Sequence, residues 1–366
     1  MFGDIYKDKK VLITGHTGFK GSWLTTWLLK LGARVVGISN GVPTNPSMFK
    51  ELKLEQKISH CQEDIRDLSR MIEIISSEKP DFLFHLAAQP IVSSSYDDPI
   101  ETISSNVMGT ANILEALKVS NHECTAVLIT SDKVYDNVEQ VWGYKENDLL
   151  GGKDIYSGSK GAAELVIKSY FFSFFKHIEC NVRIGVGRAG NVIGGGDWAK
   201  DRIVVDCMRA WSKNEAVEIR NPNSTRPWQH VLEPLSGYLD LGQNLYKDNN
   251  LHGECFNFGP KTEHNPTVED LLINLSKYWN FKSANDAYKV KGNIPFYEAG
   301  LLKLNCDKAL FYLEWQANLE YEDNIKFTSE WYYDFYQNQQ DMYEKTLEQI
   351  SEYELLAQDR RLKWTV

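Results

Sequence analysis

The stretch KVLITGHTGFKG, residues 10–21, decides the fold. Its first five residues have an apolar centre and indicate a strand, and residues 22–31 predict a helix. Gly15, Gly18 and Gly21 lie at the turn between them. Glycines let the backbone approach the pyrophosphate of a dinucleotide, and a helix N-terminus offers free N–H groups and the positive end of its dipole. The stretch therefore predicts the first strand–turn–helix unit of a dinucleotide-binding sheet.

A second pattern, Tyr156 followed four residues later by Lys160, supplies candidate chemistry. This spacing places the phenol and the ammonium one helical turn apart, on the same face. Because a nearby cation favours the phenolate, we expect Lys160 to lower the pKa of Tyr156 from its usual value of ~10. The two patterns together predict an enzyme that oxidises an alcohol with a nicotinamide cofactor.

Composition and charge bound the class of protein. The chain has 366 residues, of which 42% are hydrophobic and 25% charged, with a net charge of −10. Such an acidic chain is not expected to bind nucleic acid or an anionic membrane surface. No apolar run approaches the ~18 residues of a membrane span, and the first ten residues are polar rather than signal-like. The six cysteines are scattered without a C-x-x-C pair, so we expect reduced thiols, no metal site and a cytoplasmic location.

Strand-like runs alternate with helical patterns through the first half of the chain, which predicts βαβ units. The expected fold is α/β, a Rossmann-type doubly wound parallel sheet with a smaller C-terminal substrate-binding lobe. Predicted strands are 10–14, 34–39, 82–86, 125–130 and 180–185, with a strand end at 64–67 and helices at 68–77, 103–119 and 157–175. Residues 190–197 predict a loop, and the later elements are expected to be shorter and less regular.

The predicted domain limits follow from this change, near residue 187, from regular strand–helix alternation to shorter and less regular elements. We expect the dinucleotide-binding domain over 1–186, with returning segments near 227–260. The substrate lobe is expected over 187–226 and 261–335, and a helical tail over 336–366.

The choice between NAD and NADP is open at this point. The second predicted strand ends Gly37-Ile38-Ser39-Asn40, without the carboxylate that usually binds the ribose 2′-hydroxyl of NAD. No arginine follows to bind a 2′-phosphate, so NAD is favoured and NADP is not excluded. Asp64 can hydrogen-bond the adenine or cap the next helix. Expected cofactor contacts are Gly15, Thr17, Gly18, Phe19, Lys20, Asp64, Ile65, Leu86, Ala87, Ala88, Gln89, Thr130, Tyr156 and Lys160.

The segment TSDK, residues 130–133, follows another predicted strand. The Ser131 hydroxyl can hydrogen-bond a substrate alcohol beside Tyr156. Asp132 and Lys133 are adjacent titratable groups at the carboxyl edge of the sheet, where open α/β folds bind ligands. Alcohol oxidation needs only the serine, the tyrosine and its lysine, so the extra pair predicts a second step such as loss of water. A helix-capping aspartate and a solvated lysine are the alternative.

Longer motifs resemble the extended short-chain dehydrogenase/reductase family over nearly the whole chain. Within it the chain is similar to the nucleotide-sugar 4,6-dehydratases, and most similar to those that act on CDP-glucose. The matching stretches are GHTGFKGSWL (15–24), HLAAQP (85–90), NVMGT (106–110), TSDKVYDN (130–137), YSGSKGAAEL (156–165), RAGNVIGGGDWAKDR (188–202) and RPWQHVLEPLSGYL (226–239).

The resemblance implies conversion of CDP-D-glucose to CDP-4-keto-6-deoxy-D-glucose with tightly held NAD, a reaction of deoxysugar and O-antigen biosynthesis. Tyr156 would take the proton of the C4 hydroxyl, with Ser131 and Lys160 beside it. Asp132 would protonate the C6 hydroxyl, which leaves as water. Lys133 would remove the C5 proton, where many hexose dehydratases carry Glu, although an amine must lose its own proton first.

The substrate contacts implied by the resemblance are Gln89, Asn191, Arg202, Arg226 and His230. An arginine fork matches diphosphate oxygens bidentately, and a side-chain amide can donate a further hydrogen bond. Solvation at the surface is the alternative role of a loop arginine.

Three other functions are weighed against this one. A sugar-nucleotide epimerase on the same fold typically lacks the acid after the serine, so Asp132 disfavours it. A dehydratase for another nucleotide sugar, such as a GDP-linked heptose, would differ only in its base and sugar contacts. A catalytically silent NAD-binding protein would have no use for intact Ser131, Tyr156 and Lys160.

The oligomeric state is inferred from two predicted helices. Family members pack two helices of each subunit into a four-helix bundle, and here these are 103–119 and 157–175. Residues 165–175 are more apolar than one buried face requires. We expect a homodimer, and a tetramer stays open.

Overall fold

The structure is a computed structural model that describes residues 1–177, 179–261, 266–291 and 301–366. Its strands are β1 (Lys10–Thr14), β2 (Arg34–Ser39), β3 (Ser59–Gln62), β4 (Phe82–His85), β5 (Cys124–Ile129), β6 (Val182–Ala189), β7 (Val192–Ile193), β8 (Val217–Ile219), β9 (Gln229–His230), β10 (Cys255–Phe258) and β11 (Tyr288–Val290). Within the described ranges, seven of them form one parallel sheet in the order β10-β6-β5-β4-β1-β2-β3. The predicted doubly wound sheet is therefore confirmed.

The helices cover both faces of this sheet. They are α1 (Phe19–Lys30), α2 (Met48–Glu51), α3 (Leu68–Glu78), α4 (Val92–Asp97), α5 (Pro99–Ile103), α6 (Gly109–Ser120), α7 (Ile155–Tyr170), α8 (Ile203–Trp211), α9 (Leu232–Lys247), α10 (Val268–Ser276), α11 (Asp307–Leu313), α12 (Tyr321–Tyr333) and α13 (Met342–Asp359). In β1, Leu12 packs with α3, α6 and α7, whereas Val11 and Ile13 pack with α1, α9 and α13. Such double coverage explains why β1 and β5 are almost wholly apolar.

The order of the strands creates a switch point beside β1. From β1 the chain moves outward to β2 and β3, and then crosses back to form β4 on the other side of β1. Ile13 lies opposite Gly37 of β2 and Phe84 of β4. Loops that follow β1 and β4 diverge at such a point, which leaves a crevice at the carboxyl ends of the strands.

Several predicted elements need correction. The first helix begins at Phe19 rather than at residue 22, because Gly18 is its extended N-cap (φ −76°, ψ 170°). Residues 64–67 form a turn rather than a strand end: the strand is the more polar β3, and the Asp67 side chain accepts a hydrogen bond from the Arg70 N–H and caps α3. The strand predicted at 180–185 is β6, which begins two residues later and continues four residues further, to Ala189. Shifts of one or two residues at the remaining strand boundaries are ordinary.

Two helices predicted as continuous are interrupted by π-helical turns. One turn, Ser104–Met108, joins α5 to α6, and another, Phe171–Phe175, ends α7. The predicted loop 190–197 contains the short strand β7, which pairs with β9.

The later half of the chain is also more regular than expected. The helix α9 has 16 residues and α13 has 18. The helix α9 is buried on nearly all sides, so polar side chains such as Glu233 and Asp240 are buried in it together with its leucines.

The C-terminal helix α13 packs against the first helix of the sheet. Trp27 of α1 donates an indole N–H to the Glu354 carboxylate at 2.8 Å, and Lys30 forms an ion pair with the same carboxylate. β10 lies next to β6, so the segment after residue 227 returns to the sheet. The domain limits proposed above stay a prediction. None of the helices in the described ranges combines the length and apolarity needed to cross a membrane.

Candidate active site

A cavity of about 1140 Å³ opens at the carboxyl ends of β1, β4, β5 and β6. This volume exceeds the ~300–1,000 Å³ of ordinary small-molecule pockets, so two ligands can lie side by side. Every residue predicted to contact the cofactor lines it: Gly15, Thr17, Gly18, Phe19, Lys20, Asp64, Ile65, Leu86, Ala87, Ala88, Gln89, Thr130, Tyr156 and Lys160.

The glycine-rich turn is shaped for close backbone approach. Gly15 has φ +76°, and a Cβ built on it would lie 2.7 Å from the Ala87 backbone nitrogen. A Cβ on Gly21 would lie 2.2 Å from the Gly15 carbonyl oxygen. Only glycine fits at these two positions, so the turn packs tightly against the end of β4. The first N–H groups of α1 are left at the cavity, as a dinucleotide pyrophosphate requires.

The end of β2 and the turn after β3 form one corner of the cavity. The Ser39 and Thr17 hydroxyls are 2.7 Å apart, and the Asn40 amide donates to Asp64 at 3.5 Å. Arg66 hydrogen-bonds Asp64 and lowers the pKa of this carboxyl below its usual range. Asp64 does not cap α3, since Asp67 does, so the first of its two predicted roles is the one that its position allows.

The predicted catalytic residues converge in the middle of the cavity. Ser131 follows β5 and donates its hydroxyl to Asp132 at 2.9 Å, and it lies close enough to the Tyr156 phenol to affect its pKa. Tyr156 and Lys160 lie in the first turns of α7 and are 8% and 7% exposed. Lys133 follows in the same turn and lines the cavity. The residues predicted to oxidise an alcohol and the predicted acid/base pair therefore line one cavity.

Burial controls the pKa values of these groups. Desolvation raises the pKa of Tyr156 to about 12, although the Ser131 hydroxyl and the charge of Arg202 oppose it. The lowered pKa that we expected for Tyr156 is therefore not found in the protein alone, because burial dominates. Desolvation also lowers the pKa of Lys160 to about 8, against the charge of Glu164. It raises the pKa of Asp132, against the charge of Lys133.

Lys20 brings a further cation from the glycine-rich turn. Desolvation, followed by the charge of Arg202, lowers its pKa to about 8, while Asp132 opposes the shift. Lys20 also acts electrostatically on Lys160. The first turn of α1, which follows the glycine-rich turn, thus places the Lys20 ammonium close enough to Asp132 and Lys160 to interact with them electrostatically.

Three predicted substrate residues form the far wall of the cavity. Asn191, Arg202 and Arg226 all line it. Arg202 is held by Asp197, with its Nε 3.2 Å from the carboxylate, and Arg226 donates to the Thr225 carbonyl at 2.8 Å. Two guanidinium groups on one wall suit a diphosphate.

Gln89 and His230 behave differently. Gln89 lines the cavity, but its amide already donates to the Ile91 carbonyl at 3.0 Å and to the Thr102 hydroxyl of α5 at 2.8 Å. His230 is fully buried away from the lining, packed against Trp23 and Phe327 with ring centroids 5.6 and 5.4 Å apart. The expected substrate contact of His230 finds no support there: β9 turns this ring toward α1 and α12, although its neighbour Trp228 lines the cavity.

The sequence-based prediction missed a buried ion pair that joins α7, the helix of Tyr156 and Lys160, to strand β6. Glu164 of α7 and Arg188 of β6 form an ion pair, 5% and 2% exposed. The signal was the position of Glu164, four residues after Lys160 and therefore on the same helical face. Within the described ranges, no three His, Cys, Asp or Glu side chains lie close enough to hold a metal ion.

Comparison with known proteins gives consistent results. The family model described as GDP-mannose 4,6 dehydratase matches residues 12–328. The CDP-glucose 4,6-dehydratase of Salmonella typhimurium is 47% identical over 315 residues, which cover 85% of this chain and 87% of the relative. The CDP-paratose 2-epimerase of Salmonella typhi is 26% identical over 355 residues, covering 88% and 98%.

Solved structures share the fold. A dTDP-glucose 4,6-dehydratase from Streptomyces venezuelae, crystallised with NAD and TYD, has a TM-score of 0.76 at 17% identity and covers 90% of this chain and 98% of its own. A UDP-glucuronic acid 4-epimerase from Bacillus cereus has a TM-score of 0.75 at 22% identity, covering 89% and 99%.

Fold and site define the class of this protein first: an extended short-chain dehydrogenase/reductase with a Ser–Tyr–Lys centre. The match over residues 12–328 then narrows the class, and the chain belongs to the GDP-mannose 4,6 dehydratase family.

Proposed function

We propose that the chain is a CDP-glucose 4,6-dehydratase that uses NAD and converts CDP-D-glucose to CDP-4-keto-6-deoxy-D-glucose and water. One observation carries this proposal: Ser131 lines the same cavity as Tyr156, acts on the pKa of its phenol, and donates its hydroxyl to the buried Asp132 carboxyl. A proton donor thus stands beside an alcohol-oxidising centre. The 47% identity to the Salmonella typhimurium enzyme supports the same substrate.

NAD fits the residues that line the cavity at the carboxyl ends of β1 and β2. The backbone around Gly15 and Gly18 would hold the pyrophosphate, and Asp64 would hold the adenosine end. Arg66 is engaged with the carboxylates of Asp64 and Glu101, which disfavours its binding a 2′-phosphate. When bound, NAD supplies the electron acceptor for oxidation at C4 and returns the electrons to C6.

Oxidation at C4 needs a base at the sugar hydroxyl. Tyr156 would take that proton, and Ser131 would hydrogen-bond the same oxygen. Lys160 lies on the same helical face and favours the charged form of the phenol. Because burial raises the pKa of Tyr156, cations brought to the site are needed to make it a base near neutrality.

Elimination of water needs an acid at the C6 oxygen and a base at the C5 hydrogen. Burial raises the pKa of Asp132, so its carboxyl holds a proton longer than an exposed aspartate would. We assign Asp132 as the acid that protonates the leaving hydroxyl. We assign Lys133, the next residue, as the C5 base.

Replacement of Lys133 tests the second assignment. In D₂O the normal product should carry deuterium at C5, because the C5 proton is exchanged during elimination. Lys133→Ala should slow this incorporation by about 10²–10⁴-fold, the usual contribution of a positioned base, while C4 oxidation continues. Mass spectrometry and NMR of the product measure the label, and the exposed Lys145→Ala is the control. Full C5 exchange in Lys133→Ala would refute the assignment.

The opposite wall would hold the nucleotide. Arg202 and Arg226 suit the two phosphates, and Asn191 can donate to them or to the sugar. A different nucleotide sugar, such as a GDP-linked heptose, is the second candidate, because the contacts to the diphosphate would be the same. An epimerase is disfavoured by Asp132, for which it has no use.

We infer that two copies associate through α7 and the helices before it. Exposed apolar side chains cluster in these segments: Ile100, Ile103, Met108, Leu165, Phe172 and Phe174. Such a surface favours association with an equivalent surface. Light scattering should give at least twice the 42.0 kDa chain mass, with four copies as the other possible assembly. A monomer at micromolar concentration would contradict this inference.

The test of the proposed function is incubation of the purified protein with NAD and each of four sugars: CDP-glucose, UDP-glucose, dTDP-glucose and a GDP-heptose. We expect CDP-glucose to lose the mass of one water, without net build-up of reduced cofactor. If only one of the other nucleotide sugars loses water, that sugar is the substrate and the assignment of CDP-glucose is wrong. An isomer of unchanged mass would establish an epimerase instead.

A further inference from the structure

The buried pair of Glu164 and Arg188 touches the catalytic segment on both sides. Glu164 Oε1 accepts the Thr130 hydroxyl at 2.6 Å and the Arg188 Nε at 2.7 Å. Arg188 Nη1 donates to the Tyr135 hydroxyl at 2.7 Å. Ser131, Asp132 and Lys133 lie between Thr130 and Tyr135 in the chain, so the pair holds both ends of this segment.

The pair also connects further parts of the chain. Glu164 is one helical turn after Lys160 in α7, and Arg188 is in β6. Arg188 also donates to the Glu146 carbonyl at 3.1 Å, and the Tyr135 hydroxyl donates to Asn257 of β10 at 2.7 Å. The Arg188 guanidinium therefore joins α7 to Tyr135, at the end of the Thr130–Tyr135 segment. The Tyr135 hydroxyl extends this connection to the edge strand β10.

Energetics argue that this pair is more than a structural element. Burying an ion pair is costly, and apolar side chains of similar volume often serve stability as well. The pair lies directly beneath the residues that must keep their mutual geometry during proton transfer. Small displacements of reacting groups lower the rate of a reaction strongly. A rigid ion pair that keeps these side chains in position would therefore benefit the rate.

We propose that Glu164 and Arg188 are positioning residues for the proposed dehydratase reaction: they hold the Thr130–Tyr135 segment against α7 and so set Ser131 and Asp132 relative to Tyr156 and Lys160. The proposal rests on the proposed function. It assigns neither residue a contact with the substrate.

Glu164 has a second effect through its charge. Lys160 is buried, and the groups that act on it are Lys20 of α1 and His85 of β4, together with Tyr156 and Glu164 of its own helix. Burial keeps His85 neutral by lowering its pKa to about 3. Glu164 is the carboxylate that favours the charged form of Lys160. Its removal should lower the pKa of Lys160 further.

The first test removes a hydroxyl without removing a charge. Tyr135→Phe keeps the stacking on Tyr144, with centroids 5.1 Å apart, and loses the bond to Arg188. We expect kcat to fall about tenfold or more, with KM for CDP-glucose within about twofold, because geometry rather than binding is disturbed. The matched control is Tyr353→Phe, a buried tyrosine bonded to the Glu233 carboxylate far from the cavity.

The control should lose a similar amount of thermal stability and keep its kcat. If Tyr135→Phe and Tyr353→Phe lose stability alike and both keep kcat, the pair is only structural and the proposal fails. A wild-type protein that dehydrates no nucleotide sugar would refute the proposed function instead.

The second test concerns the charge. Glu164→Gln should move the alkaline limb of the rate–pH profile of C4 oxidation, a step in which Asp132 is not the acid, to lower pH, because Lys160 then loses its proton earlier. Glu164→Asp keeps the charge, so it should restore the position of that limb while kcat stays reduced. An unchanged profile in a folded Glu164→Gln protein would overturn this part of the proposal. If the variant does not fold, the Tyr135→Phe comparison decides.

Discussion

Tyr156→Phe is expected to lower kcat by about 10²–10⁴-fold, the contribution of a positioned general base. The phenylalanine ring fills the same space, so the cavity and the fold should persist. What is lost is the phenolic oxygen, which we propose as the acceptor of the C4 proton and which lies beside Ser131. Formation of the 4-ketosugar, followed by its absorbance in alkali, measures the rate.

The matched control is Tyr6→Phe. Tyr6 is also buried and donates its hydroxyl to the Leu239 carbonyl at 2.6 Å, and its ring packs on Phe82 at the first residue of β4, the end of the strand opposite the cavity. It should keep its kcat although it loses a buried hydrogen bond. If Tyr156→Phe stays within a few-fold of wild type, another group is the base, and the role given to this tyrosine is wrong.

Asp132→Asn is expected to separate the two halves of the reaction. Oxidation at C4 should continue, whereas loss of water should slow by about 10²–10⁴-fold because an amide is a poor proton donor. Reduced cofactor should then accumulate within the enzyme, which wild type does not show. Stopped-flow absorbance of the reduced nicotinamide measures the build-up, and product mass measures the loss of water.

The pH dependence provides a second readout for the same variant. An acid acts while it holds its proton, so wild-type elimination should be fast below the pKa of Asp132 and fall as pH rises through it. Burial raises this pKa, which moves the limb toward neutrality. The limb should be missing in Asp132→Asn. Asp359→Asn, at the exposed end of α13, is the control. Elimination at the wild-type rate without accumulated reduced cofactor would contradict the assignment.

Much of the site could be predicted because its signals are local. The glycine-rich turn predicted the end of β1 and the presence of α1, although not its first residue, and the positive φ of Gly15 and its close contact with Ala87 exclude other residues there. The spacing of Tyr156 and Lys160 predicted a shared helical face. The segment 130–133 follows a strand of a parallel sheet, and such strand ends meet at one edge.

Other features depend on contacts that are distant in the sequence. His230 lies two residues from Trp228, yet only Trp228 lines the cavity, because the His230 ring packs against Trp23 of α1 and Phe327 of α12, which are distant in the sequence. The pKa of Tyr156 depends on burial by the whole fold, so the pattern with Lys160 gave the wrong direction. The bond between Arg188 and Tyr135 spans 53 residues. No local pattern indicates it.

The most direct test of the central claim uses CDP-glucose labelled with deuterium at C4. The account predicts that the product loses one water and carries the deuterium at C6, because the hydrogen removed from C4 returns to the same sugar. NMR of the product locates the label. Release of the deuterium to solvent, or its return to C4 in a product of unchanged mass, would contradict an internal 4,6-dehydration.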